Sequence, residues 1–219
     1  MSEFPQTGRN QVTRLPERAA YDPQTIYSIL DAAMICHVAF IQDGQPFIIP
    51  TLYARLGNSL LLHGSRSSRL LQHIQAGQPV SIAVTLLDGL ILARSVFEHS
   101  VRYRSVVLFG HGHSIDDPAQ KLDALRILTE HIVPGRWDDA RQPNKKELGA
   151  TSIVAIDIES ASAKINQGMP QDFPADYTLP VWAGVLPLVQ HFQEPQRDPR
   201  LDAAIPVPDY LIRLLTDNA

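Results

Sequence analysis

The stretch His63–Leu71, HGSRSSRLL, concentrates the groups best suited to hold an anion in this chain. A strand-like run, Ser59–His63, ends there, and Gly64 allows a tight turn. Ser65, Arg66, Ser67, Ser68 and Arg69 then fall on the first turn of a helical pattern. Helix N-termini leave backbone N–H groups unpaired and carry partial positive charge. Hydroxyls and guanidinium groups placed on such a turn add neutral and charge-assisted donors, a combination that suits a phosphate. The same residues also read as plain N-capping beside solvated arginines, and spacing alone does not separate the two.

A second polar cluster lies in Ala93–Gly110, where Arg94, Arg102 and Arg104 accompany Tyr103 and Ser105 near the start of a strand. It reads equally as a ligand-facing strand or as a solvated one. Trp182, in the run VWAG, is either a core side chain or a wall for a planar ring. His111 and His113 alternate on a strand and could face a metal, but no cysteine or third ligand stands near, so no metal site is expected. His37 and His99 stand alone and read as structural. Cys36, the only cysteine, sits in an apolar strand and reads as a buried, inert thiol. There is no Ser/His/Asp order, Walker loop or GxGxxG, so no catalytic residue is named, and hydrolase, phosphate-loop and Rossmann chemistries lose support.

These groups must be positioned by a chain of 219 residues, 44% apolar and 19% charged, with a formal net charge of −4. That length and apolar content support one sizeable core. The negative balance argues against a general nucleic-acid or anionic-membrane binder. No run of about 18 apolar residues is present, so no spanning helix is expected. The single thiol and the polar N-terminus fit a soluble protein of a reducing cytoplasm. Only Lys121, Lys145, Lys146 and Lys164 are lysine among the 19 basic residues. An arginine excess suits bidentate anion recognition, although a compositional bias explains it as well.

Residues 1–20 read as a polar arm, 21–190 as the folded domain and 191–219 as a proline-rich extension, with a last helix expected over Pro208–Asp217. Asp22-Pro23 caps a helix over Pro23–Ala33, with Ile26, Ile29, Leu30 and Ala33 at helical spacing. Ile35–Ile41 and Gln45–Tyr53 flank Asp43-Gly44, a strong hairpin signal. A turn at Gly57-Asn58 leads into Ser59–His63. Leu70, Leu71 and Ile74 mark a helix stopped by Gly77 and Pro79. Val80–Leu87 is a buried strand, with a turn expected at Asp88-Gly89 into Leu90–Arg94. Tyr103–Phe109 is another strand. Asp117-Pro118 caps a helix to about His131, Val133–Glu147 is irregular, and Ser152–Ile158 is a strand extending towards Lys164. Leu179–Val189 is apolar and ambiguous. Many short strands joined by hairpin turns, without regular helical crossovers, predict a mainly β protein: a small antiparallel barrel with helices outside.

Several of these pieces in order resemble the pyridoxamine 5′-phosphate oxidase-like FMN-binding split-barrel proteins, in their flavin-nucleotide-binding branch, which is related to the nitroimidazole-resistance proteins. They are HVAF (37–40), DGQPFIIPT (43–51), LHGSRSSR (62–69), VTLLDGLILARS (84–95), YRSVVLFG (103–110), PGRW (134–137) and LPVWAGV (179–185). The resemblance implies a six-stranded antiparallel split β-barrel, a homodimer, and FMN at the subunit interface. Ile48, Ile49, Pro50 and Thr51 would run along the flavin, and His63, Gly64 and Ser65 would meet it after their strand. Ser68 and Arg69 match the family's pair that holds the FMN phosphate. Leu70 stands where a lysine often follows. Arg104-Ser105 falls where the oxidase has Arg-Gln, and Trp182 matches a family tryptophan, with Ala183 in place of glutamine. The substrate-binding arginine and histidine of the true oxidase are missing after Trp182, which points away from pyridoxamine phosphate. The resemblance therefore implies an FMN-dependent oxidoreductase for another small molecule. A non-catalytic flavin carrier or sensor is the alternative, as is a haem-binding protein of this fold, for which His111 and His113 are available.

Overall fold

A computed structural model describes residues 2–216. The strands are β1 (Ala19–Ala20), β2 (Ile35–Gln42), β3 (Gln45–Leu52), β4 (Ala54–Leu56), β5 (Ser59–Ser65), β6 (Val80–Leu92), β7 (Ser100–Gly110), β8 (Gly112–Ser114), β9 (Thr151–Asp157), β10 (Ser160–Asn166) and β11 (Gly184–Pro187). The helices are α1 (Pro23–Ala32), α2 (Arg69–Gln75), α3 (Pro118–Ile132), α4 (Arg136–Asp139), α5 (Lys145–Ala150) and α6 (Asp209–Thr216). Every pairing is antiparallel. The larger sheet runs β1-β10-β7-β6-β2-β3, with β11 on the far end of β6, and the smaller runs β4-β5-β9-β8. This is the mainly β architecture with flanking helices that the hairpin pattern predicts.

Three chain segments leave one sheet and enter the other almost without a loop: β3 into β4 at Tyr53, β7 into β8 at His111, and β9 into β10 at Ile158-Glu159. The last two corners press together, with the Asp157 amide donating to the His111 carbonyl and the Glu159 amide to that of Phe109. A Cβ on Gly110 would lie only 1.8 Å from the Asp157 carbonyl oxygen, so glycine alone fits that corner. The expected single strand from Ser152 towards Lys164 is accordingly two strands with a corner between them.

The main core fills the space between the sheets. Alternation on β2 sends Cys36, Val38 and Phe40 inwards, where they meet Leu60, Leu62, Ile82, Val106 and Leu108. α1 closes one side with Ile26, Ile29 and Leu30. Its start follows from Asp22, whose carboxylate accepts the Thr25 amide at 2.8 Å, and from Pro23 at the first position. α3 packs Ala124 and Leu128 on Ala54, Leu61, Ile153 and Ala155, the other face of the small sheet. Each such leucine or isoleucine is worth about 1.5–3 kcal/mol on full burial.

Some local expectations change in the fold. Asp88-Gly89 is not a hairpin: β6 runs through it, with a register shift between Leu87 and Gly89. A β-bulge satisfies the glycine signal as well as a turn does. The irregular stretch after Val133 contains α4 and α5, the latter held by a reciprocal Asn144–Glu147 capping box. Only Gly184–Pro187 of the apolar run at 179–189 is strand. The N-terminal arm is docked: Asn10 is buried and donates to the Pro5 and Ala161 carbonyls, and Phe4 packs against the core. The last helix forms, and Asp217, its expected end, lies outside the described residues.

Candidate flavin site

α2 begins at Arg69, with Ser68 as its N-cap. The Ser68 hydroxyl oxygen is 3.5 Å from the Leu71 amide, a weak cap that leaves the hydroxyl available. Just before it, the Ser65 and Ser67 hydroxyls lie 2.9 Å apart, and the Ser68 amide donates to the Ser65 carbonyl. Arg66 reaches across to the Gly149 carbonyl at 3.3 Å. Arg69 has no carboxylate partner among the described residues; its guanidinium lies over the Phe47 ring, 4.4 Å from the centroid. Phe47 in turn stacks on Phe40, which is tilted against His73.

That contact joins the serine–arginine loop to β3, the terminal strand of the large sheet. Its edge position explains its two prolines, Pro46 and Pro50, which a central strand would exclude. Ile48 is 68% exposed and Pro50 is exposed, while Ile49 packs on the core and Thr51 is half-buried. The structure thus sets Arg69, an arginine without an ion pair among the described residues, against Phe47 on β3, with Ile49 and Thr51 on the same side of that strand and Ile48 and Pro50 on its opposite, outer face. A cation so placed is open to an anion such as a phosphate.

His63 does not join them. It shares a sheet face with Leu61, towards α3, and lines a pocket of about 250 Å³ with Leu52, Leu125 and Leu128. Its Nδ1 is enclosed with no hydrogen-bond partner, and burial lowers its pKa below the ordinary histidine value. Gly64 faces Leu71, whose Cδ1 would be 3.2 Å from a Cβ placed there.

Arg104 and Ser105 form a separate place on β7, three strand spacings from β3, about 14 Å. Arg104 is committed to Asp88 through two hydrogen bonds of 2.8 and 2.9 Å. The bulge in β6 aims Asp88 at it, and a Cβ on Gly89 would strike the Leu186 carbonyl at 2.7 Å. Ser105 donates to the Lys164 carbonyl. Trp182 is not a core residue: it is 67% exposed and stands over Gly184. Arg94, which spacing singled out without a role, is tied to the buried Asp172, whose carboxylate also accepts the Arg94 and Ser95 amides. Arg102 donates to the Gly168 carbonyl.

Sequence reading missed a cleft of about 600 Å³ beside Arg104. It is walled by Met34, Leu86, Asp88 and the residues after β11, Leu188–Phe192. No motif marks it, because its walls come from four distant segments. The reading of Cys36 as a buried thiol holds. Cys36 is buried and free, and burial pushes its thiol up to about 12. His111 and His113 face Glu159 and Asp157, and no metal-binding cluster of three or more such groups exists among the described residues.

The fold is mainly antiparallel β in two sheets with flanking helices, consistent with a split barrel. The chain belongs to the pyridoxamine 5′-phosphate oxidase family, whose description matches residues 22–165. Among solved structures it is similar to the flavocytochrome Anf3 of Azotobacter vinelandii, at 36% identity over 94% of this chain and 96% of that one, with a TM-score of 0.88. It is similar to the FAD and haem binding protein of Mycobacterium smegmatis at 34% identity, over 90% and 97%, with a TM-score of 0.86. A protein of Bacteroides thetaiotaomicron assigned to 5-nitroimidazole antibiotic resistance shares the fold at 22% identity, over 67% and 86%, with a TM-score of 0.57. A search of curated protein sequences returns no match. No described helix is long and apolar enough to cross a membrane.

Proposed function

We propose that this chain is a flavin-dependent oxidoreductase of the flavocytochrome type, acting on a small molecule other than pyridoxamine phosphate. The observation that carries this reading is the likeness to the Azotobacter and Mycobacterium proteins along nearly the whole chain. The family match ends at residue 165, so those likenesses take in most of what lies beyond it. Ser68 and Arg69 hold the phosphate, and the edge of β3 runs beside the ring system. That phosphate is common to FMN, which the family resemblance implies, and FAD, which the name of the Mycobacterium protein carries; the near full-length likeness favours FAD. The bound flavin supplies the electron transfer. The chain's own residues orient it and supply donors to its polar edges.

The working unit is a homodimer. β2, β3, β6 and β7 present a common outer face on which Ile41, Ile48 and Val107 are exposed and His37, Pro50 and Ala83 lie in register. Exposed apolar groups on a flat sheet suit a second copy. A dimer also brings Arg104, Ser105 and Trp182 of one chain to a flavin on the other, and their separation from β3 on their own chain supports that reading. The reducing cytoplasm suits the free thiol of Cys36.

Extraction and chromatography of the flavin from purified protein tests the reading. A yellow protein releasing one FAD per chain is expected, and release of FMN would overturn the choice of flavin. A colourless protein that quenches neither added flavin would refute the reading. Sustained reduction of an acceptor by NADH or NADPH separates the oxidoreductase from a carrier, which would show a single turnover only.

A further inference from the structure

We propose that the pocket between β5 and α3 binds a small ring molecule carrying one hydroxyl group, of the phenol class, with that hydroxyl on His63. The pocket is separate from the serine–arginine loop. His63 and Leu61 face α3, whereas Leu62, Leu70 and Leu71 pack into the main core on the other side of the small sheet.

Leu52, Leu125, Leu128, Ile132 and Val133 give the pocket branched aliphatic walls around a volume of about 250 Å³. An apolar cavity of about 150 Å³ takes benzene, so this one has room for a single aromatic ring with a substituent. It is too small for a nucleotide or a fused-ring cofactor. Water is poorly served there, since a held water needs about two to four polar partners.

The polar side chains of the lining are mostly committed. Thr129 donates its hydroxyl to the Leu125 carbonyl at 2.8 Å, and Arg136 gives its Nη1 to Asp139 and to Tyr210. Asp139 also balances the charge of Arg136, which lessens its pull on an anion. His63 has no hydrogen-bond partner among the described residues. Its Nδ1 is enclosed by protein, so Nε2 is the nitrogen left for the cavity. Burial keeps the imidazole neutral at pH 7. Nε2 then offers either an N–H or a lone pair, according to the tautomer, and a hydroxyl satisfies both because it donates and accepts. A carboxylate only accepts, and an ammonium loses its hydration against aliphatic walls. A rigid ring is favoured over a flexible alcohol of equal size, because it has no rotamers to freeze on binding.

The test is titration of the full chain with phenol and with benzene, followed by proton NMR of the ligand. It covers the parent, His63→Leu, His63→Gln and Leu125→Trp, with urea midpoints measured in parallel. The parent is expected to bind both molecules at one site, phenol roughly 2- to 12-fold more tightly, the net worth of one hydrogen bond. His63→Leu should keep benzene and lose the preference for phenol, and His63→Gln should retain part of that preference. Leu125→Trp, whose added volume enters the cavity, should lose both ligands. Absence of saturable binding to the parent, or binding unchanged in Leu125→Trp, would overturn the site. A preference for phenol that survives His63→Leu would overturn the contact with His63. Leu125 is half-buried at the pocket wall, so its variant decides the site even where His63→Leu folds poorly. Flavin quenching should be the same in all four proteins, which keeps this outcome apart from that of the flavin site.

Discussion

Replacing Arg69 with alanine removes the one uncompensated cation at the edge of β3. In the free protein that guanidinium does little for stability: it makes no ion pair among the described residues and rests on Phe47 at 4.4 Å. An exposed cation–π contact is worth about 0.5–1 kcal/mol, so the denaturation midpoint should barely move. Against a phosphate the same group forms a charge-assisted hydrogen bond worth about 1.5–3 kcal/mol. At 1.4 kcal/mol per decade, flavin should dissociate roughly 10- to 150-fold more readily. Arg69→Lys should fall between, because an ammonium keeps the charge and loses the bidentate fork. The assay is quenching of flavin fluorescence on titration of flavin-free protein, with urea midpoints measured in parallel. An unchanged dissociation constant with an unchanged midpoint would show that the phosphate sits elsewhere. A large drop in midpoint would show that Arg69 is structural.

Gly110→Ala should be severely destabilising, by roughly 3 kcal/mol or more, because its Cβ would lie 1.8 Å from the Asp157 carbonyl oxygen and backbone on both strands would have to move; near-normal urea unfolding would contradict the corner geometry. His63 is held below its ordinary pKa near 6.5 by burial, so the unfolded chain takes up its proton first. Its neutral form therefore contributes stability above about pH 6.5 that is lost as pH falls through the lower folded value. His63→Gln should flatten that part of the urea-midpoint profile relative to the parent, and identical profiles would place His63 in water.

Some of this was readable from the chain alone because it depends on neighbours in sequence. Asp22-Pro23 and Asp117-Pro118 start helices where they stand, since a cap needs only its own first turn. Asp43-Gly44 turns β2 into β3 because both residues take positive φ, 52° and 73°. Ser68-Arg69 opens α2 for the same local reason. Asp88-Gly89 predicts a turn and is a bulge instead, because the choice between the two depends on β7 and β11 beside it.

What the residues could not decide is which distant groups meet. Arg69 and Arg104 each stand beside a serine in a polar cluster, yet one rests over Phe47 without an ion pair among the described residues and the other is paired with Asp88 at the β6 bulge. His63 sits just before the serine–arginine loop and still faces α3, because side chains alternate along β5 and Leu62 claims the core. The cleft at His191 has no local trace at all, since its walls come from four segments that only the packed fold brings together.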